Sequence, residues 1–127
     1  MAQGPKDDGE VMNRENIPDD VKSFVVERIP SVSFLEALLQ LRVSEAGEWN
    51  SEQLAKKIYV SEDAAEALLN VLQSGGFAER IAGPSPTFRY LPQSEELRHK
   101  IDKLAATYSR HLVGISRLIH GKGASRS

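Results

Sequence analysis

Cysteine is absent from this chain of 127 residues, and its absence excludes several kinds of chemistry. Without a thiol there is no disulfide, no cysteine nucleophile and no cysteine-ligated zinc. Long apolar runs are also missing, since no stretch approaches the roughly 18 residues that a membrane-spanning helix needs. The polar, acidic start does not resemble a secretory signal. With 40% hydrophobic and 27% charged residues, the sequence predicts one small cytoplasmic globular domain.

Positive charge is scarce outside the last third of the chain. Residues 1–50 carry five Lys/Arg and ten Asp/Glu, residues 51–92 carry four and five, and residues 93–127 carry seven and three. Most proteins dedicated to nucleic-acid binding have a basic patch, because neutralising phosphates supplies much of their affinity. Only the C-terminal third is basic here, and a solvated helix with a basic tail is its simplest interpretation.

The pattern of apolar residues divides the chain into four parts. Residues 1–16 have too few large apolar side chains to offset the cost of ordering, so we predict a disordered leader. Residues 17–92 form the main domain, which begins with a helix over residues 18–29 and a second helix that starts at a Ser33 cap and ends near Arg42. Residues 93–120 form a C-terminal dimerisation helix that Gly121 closes, and residues 121–127 form a flexible tail.

The segment from Trp49 to Leu91 predicts two helices followed by two strands. Ser51 begins a helix that ends at Ile58, Tyr59 and Val60 form a tight turn, and a second helix, capped by Ser61, ends at Gly75-Gly76. Strands over residues 77–81 and 87–91 flank a short loop, and Trp49 anchors a short first strand. This order predicts a mainly α fold with a small β-hairpin wing: a winged helix-turn-helix followed by a long C-terminal helix.

The second helix of this pair, residues 61–74, is the expected recognition helix, and it is acidic. It carries Glu62, Asp63 and Glu66 but no Lys or Arg. Asn70 and Gln73 are its only typical base-reading side chains, and nearby cations could hold phosphates. The candidate residues for contacting double-stranded DNA are Lys56, Lys57, Ser61, Asn70, Gln73, Arg80 and Arg89. In the alternative hypothesis, Glu62, Asp63 and Glu66 bind a basic surface on a protein partner.

The last helix carries a heptad pattern that predicts a homodimer. Its apolar positions follow one another in alternating steps of four and three, as in a coiled-coil seam. The seam residues are Leu97, Ile101, Leu104, Tyr108, His111, Ile115 and Leu118. A helix of this length spans roughly 40 Å, more than a small winged domain covers. The alternative is one long helix that lies along its own core, with no second chain involved.

No catalytic or metal-binding motif is apparent. The three histidines lie on the last helix, and Glu95, His99 and Asp102 share one side of it. Charge pairing along a solvated helix explains that spacing more simply than a metal site, which needs more ligands. We therefore predict no enzymatic activity, no metal and no cofactor.

Three segments of the chain carry a resemblance to a known family. They are LEALLQLRVSEAGEWNSEQLAKKIYVSEDAAEALLNVLQSGGFAERI, then FRYLP, and then a helix that contains LIHGK. Together they resemble small bacterial winged-helix proteins that are distantly similar to MarR-type regulators. The resemblance covers residues 17–120 and has no single diagnostic motif. It implies a dimer formed through the terminal helices, with DNA read by the recognition helix and the wing. The sequence departs from that pattern in two places, because both the recognition helix and the tip of the wing lack a basic side chain.

Overall fold

A computed structural model describes residues 17–44 and 47–124 of the chain. The predicted disordered leader and residues 125–127 of the predicted tail lie outside this range. The helices are α1 (Asp19–Arg28), α2 (Val32–Val43), α3 (Ser51–Ile58), α4 (Glu62–Ser74), α5 (Glu95–Arg110) and α6 (Leu112–Ala124), and the strands are β1 (Ala78–Ile81) and β2 (Thr87–Tyr90). None of these described helices is both long and apolar enough to cross a membrane.

The chain divides into two compact units. One contains residues 31–99, with α2, α3, α4, the two strands and the start of α5. The other contains the described residues 17–30 and 100–124, with α1, the rest of α5 and α6.

Aromatic and leucine side chains form the core of the residue 31–99 unit. Phe34 on α2 meets Phe77 edge to face, with ring centroids 5.5 Å apart. Leu54 on α3 and Leu69 and Leu72 on α4 are fully buried. These leucines recur at helical spacing, so burying them leaves the opposite face of each helix in solvent. Burial of Leu69 and Leu72 therefore fixes which face of α4 is exposed.

Side-chain caps set where α2, α3 and α4 begin, and two of the three differ from our prediction. The side chain of Ser31, not Ser33, accepts the Phe34 N–H at the start of α2. Asn50, not Ser51, caps α3 through a reciprocal capping box in which Gln53 accepts the Asn50 N–H. At α4 the predicted cap is confirmed, because the Ser61 hydroxyl accepts the Ala64 N–H at 3.0 Å.

The turn between α3 and α4 depends on a left-handed tyrosine. Tyr59 ends α3 with φ 62° and ψ 51°, and it is the only non-glycine residue with positive φ in the described chain. Its side chain is 91% exposed. At the other end of α4, Gly76 takes φ 86°, which agrees with the predicted glycine stop.

A two-stranded antiparallel hairpin forms the wing, and Trp49 extends it. Ala78 pairs with Tyr90 and Ile81 with Thr87. Each strand is therefore one residue shorter than predicted, at the end away from the connecting loop. Trp49 and Phe88 exchange two backbone hydrogen bonds of 2.8 Å. The predicted short first strand is thus a single bridge, which fixes the chain before α3 to the edge of the wing.

The predicted C-terminal helix is not continuous. The helix breaks at His111, and α6 runs on through Gly121 to Ala124, past its predicted end. Just before the break, the hydroxyls of Thr107 and Ser109 donate to the carbonyls of Lys103 and Ala106. Side-chain hydroxyls that bond back to the preceding turn often bend helices. Backbone bonds from the His111 N–H to Thr107 and from the Ile115 N–H to His111 still connect α5 to α6.

Candidate nucleic-acid interface

A groove of about 410 Å³ opens beside the recognition helix α4. Its walls come from the start of α3, the exposed side of α4 and the wing. The residues that line it are Asn50, Ser51, Glu52, Glu62, Glu66, Asn70, Arg80, Ser85, Pro86 and Phe88. All ten belong to the residue 31–99 unit.

The geometry of α4 determines which side chains face this groove. Ala65, Leu69 and Leu72 are fully buried and fix the rotation of the helix. Residues four apart lie on the same side of a helix, so Glu62, Glu66 and Asn70 share one exposed stripe. The stripe therefore combines two carboxylates from the proposed partner-binding set with one amide from the proposed DNA-binding set.

The hairpin register separates the two arginines of the wing. Arg89 stands directly opposite Glu79, and its guanidinium lies 2.6 Å from the Glu79 carboxylate. Arg80 stands opposite Phe88, and both line the groove. Directly opposed residues share one face of a sheet and neighbours along a strand alternate, so Arg80 and Arg89 point to opposite faces of the hairpin.

The two lysines of α3 also differ in their surroundings. The Lys56 ammonium lies 3.5 Å from the Glu52 carboxylate, one helical turn earlier. Lys57 is exposed and, in the part of the chain that the structure describes, makes no ion pair, and the same is true of Arg80. Of the four cations proposed to contact phosphates, two are therefore already paired with a carboxylate.

The groove brings together only part of each predicted set. From the DNA-binding set it gathers Asn70 and Arg80, while Gln73 is exposed elsewhere on α4. From the acidic set it gathers Glu62 and Glu66 but not Asp63. Ser61 lies just before α4, and its hydroxyl oxygen is engaged as the cap.

Sequence reasoning missed the contribution of α3 to the groove. Asn50 and Glu52 line it, but neither was among the predicted site residues. The Asn-x-x-Gln spacing of the capping box was a readable signal for the start of α3 at Asn50, and with it for the side chains at that end. No sequence signal placed Ser85 or Pro86 of the wing loop in the groove.

Negative charge predominates in the groove. Three carboxylates, from Glu52, Glu62 and Glu66, and one guanidinium, from Arg80, line it, and because Glu52 is paired with Lys56 the unpaired groups carry a formal charge of −1. A cleft lined by charges of one sign concentrates counter-ions of the other sign. The arrangement therefore favours cationic groups, and phosphates would need compensation from cations outside the groove.

Most of the predicted dimerisation seam is buried within the single chain. Leu97, Ile101, Leu104 and Ile115 are each at most 5% exposed. The other three seam residues, Tyr108, His111 and Leu118, are half-buried. Contact of this seam with a second copy stays a prediction, and only these three retain much surface for it.

Comparison with solved structures agrees with this architecture. One neighbour is the solution structure of a homodimeric winged helix-turn-helix DNA-binding domain from Mycobacterium bovis, described as a possible ArsR-family transcriptional regulator. It has 20% sequence identity and a TM-score of 0.53, and the match covers 88% of this chain and 94% of that one. The chain has a winged helix-turn-helix fold.

A second neighbour is an ArsR-like transcriptional regulator from Rhodococcus sp. RHA1. It has 22% identity and a TM-score of 0.45, with 87% of this chain and 95% of that chain covered. No protein-family model matches the chain, and the search of curated proteins gave no match. At these identities the likeness concerns the winged helix alone, and the resemblance to MarR-type regulators is not confirmed.

Proposed function

We propose that this protein is a dimeric transcriptional regulator that binds duplex DNA through α4 and the wing. Its role is binding, not catalysis, and a regulator of this kind would act in the cytoplasm. The observation that carries the proposal is that Asn70 of α4 and Arg80 of the wing line the same groove. The Mycobacterium neighbour, described as homodimeric and DNA-binding, supports it at the level of the fold.

The charges of the site predict how DNA binding depends on salt. Lys57 and Arg80 are the unpaired candidate cations of each protomer, which gives four in a dimer. Each neutralised phosphate contributes about −0.9 to the slope of log K against log salt concentration, so we expect a slope of roughly −3.6. Fluorescence anisotropy with a random-sequence duplex, starting at about 50 mM salt, measures this slope. Failure to bind at that salt concentration would refute the DNA-binding proposal.

A matched pair of variants tests whether the salt dependence of DNA binding comes from the proposed DNA-binding residues. Lys57→Gln removes one unpaired cation per protomer, so the slope of a dimer should become shallower by about two units. Lys100→Gln removes the same charge from an exposed position on α5, outside the groove. If both variants change the slope equally, net charge is responsible and the proposed interface is wrong.

The acidic groove favours a second candidate function, a winged-helix module that binds a basic protein surface without binding DNA. Glu62→Lys/Glu66→Lys reverses the charge of the stripe, while Glu27→Lys/Glu36→Lys makes the same net change at exposed sites away from it. In the DNA-binding case the stripe variant should bind duplex more tightly than the control variant. In the second case it should lose binding to a synthetic lysine-rich peptide that the control variant retains.

A further inference from the structure

The unit of residues 17–30 and 100–124 contains a larger cleft that the DNA-binding proposal does not use. Its volume is about 870 Å³, and it lies where α5 ends and α6 begins, beside the start of α1. Ligand pockets in proteins are typically of roughly 300–1,000 Å³. The cleft is therefore large enough for a small organic molecule.

The charged groups around this cleft are all cationic. Lys22 on α1, Arg110 on α5 and Arg117 on α6 line it, and no Asp or Glu is among the lining residues. Within the described residues, none of these three cations makes an ion pair. Three cations drawn from three helices thus line one cleft, and no carboxylate lines it with them.

The remaining surface of the cleft is largely apolar. Ile17 is almost fully buried, and Leu112 and Val113 at the start of α6 are 55% and 59% exposed. Large aliphatic side chains exposed together at a concavity are a common feature of binding sites. The cleft therefore offers apolar contact and positive charge to the same occupant.

We propose that this cleft binds an amphiphilic organic anion, a carboxylate with an aliphatic or aromatic body. The carboxylate would accept charge-assisted hydrogen bonds from Arg110, Arg117 and Lys22, and the body would cover Leu112 and Val113. His111 and Leu118 of the predicted dimer seam also line the cleft, so a second copy would compete with the anion for it, but a second copy is the poorer occupant. A twofold contact would bring the same cations of both copies together with no acid from the cleft between them.

Three probes separate the two parts of this chemistry. Decanoate has both the charge and the chain, 1-decanol has the chain without the charge, and acetate has the charge without the chain. Isothermal titration calorimetry of the full-length protein should show at least tenfold tighter binding of decanoate than of either analogue. Nitrogen-proton NMR spectra should show shifts at residues 109–118. No decanoate binding at millimolar concentration, or equal binding of decanol, would overturn the proposal.

Charge-removing variants locate the site. Arg110→Gln/Arg117→Gln should weaken decanoate binding at least tenfold, while Arg42→Gln/Lys100→Gln, which removes two charges outside the cleft, should not change it. Lys22→Gln provides an independent test if the double variant unfolds by circular dichroism. Equal loss in test and control variants would overturn the proposal. Leu112→Asp/Val113→Asp gives a further test by sedimentation and calorimetry. If this variant dissociates a dimer but binds decanoate as tightly as the unchanged protein, these two side chains contact a second copy and not the anion, and the proposal is wrong.

Discussion

Replacing Tyr59 by glycine should stabilise the protein, although it deletes a whole aromatic side chain. The left-handed backbone of Tyr59, at φ 62° and ψ 51°, costs an L-residue about 1–2 kcal/mol, and glycine avoids that cost. The side chain is 91% exposed, so its removal sacrifices little buried area. Glycine also makes the unfolded chain more flexible, which takes back about 0.5–1 kcal/mol. The difference of these two ranges spans about 0–1.5 kcal/mol, and we expect a net gain near its middle, about 0.5–1 kcal/mol.

Thermal unfolding followed by circular dichroism measures this gain. One kcal/mol shifts the midpoint of a small domain by about 4–8 °C, so Tyr59→Gly should raise it by about 2–8 °C. Tyr59→Ala is the matched control, because it removes the same ring but keeps a Cβ atom in the left-handed region. If the alanine variant is as stable as the glycine variant, the backbone of Tyr59 is not strained and the reasoning fails.

Three further predictions concern the stability of the two units. Phe34→Ala should cost about 3–5 kcal/mol in urea unfolding, because this ring is 1% exposed and packs edge to face on another 5.5 Å away. Gly76→Ala should cost more than about 1 kcal/mol, since φ is +86° there, whereas Gly83→Ala, with no atom within 4 Å of its Cβ, should be nearly neutral. A hydrogen bond from Lys103 lowers the pKa of Asp20 below its ordinary value of 3.8. The hydrogen bond therefore contributes fully to stability above pH 3.8, and this contribution is lost as pH falls through the lowered pKa of Asp20. Asp20→Asn should reduce the pH dependence of the free energy of unfolding below about pH 4.

The parts of the fold that local chemistry determines could be predicted from the sequence. Three such features belong to α4 alone: its cap at Ser61, its buried leucines and its glycine stop. They agree with one another, and such agreement is what makes a pattern specify one structure. Even the misplaced caps were wrong by only one or two residues, because a neighbouring Ser or Asn offers the same acceptor oxygen.

The features that depend on distant residues could not be predicted. A heptad pattern records only the spacing of apolar residues, so it did not predict the break at His111. The hydroxyls just before the break, which donate to carbonyls of the preceding turn, are not part of that pattern. It also does not distinguish burial in the same chain from burial against a second one. Similarly, Arg80 and Arg89 looked equivalent in sequence, and only the strand register shows that Glu79 pairs with one of them.

Two of the four candidate cations, Lys56 and Arg89, lie beside a carboxylate, and that makes dimerisation important for the proposed function. With Lys56 and Arg89 paired, a lone protomer has two unpaired candidate cations, which lie beside the unpaired carboxylates of Glu62 and Glu66. It should give a salt slope of only about −1.8, whereas a dimer should give about −3.6. The salt dependence should therefore steepen with protein concentration, in step with dimer formation. A slope that stays shallow in a proven dimer would mean that the second recognition helix does not reach the duplex, and would favour the acidic groove as a protein-binding surface.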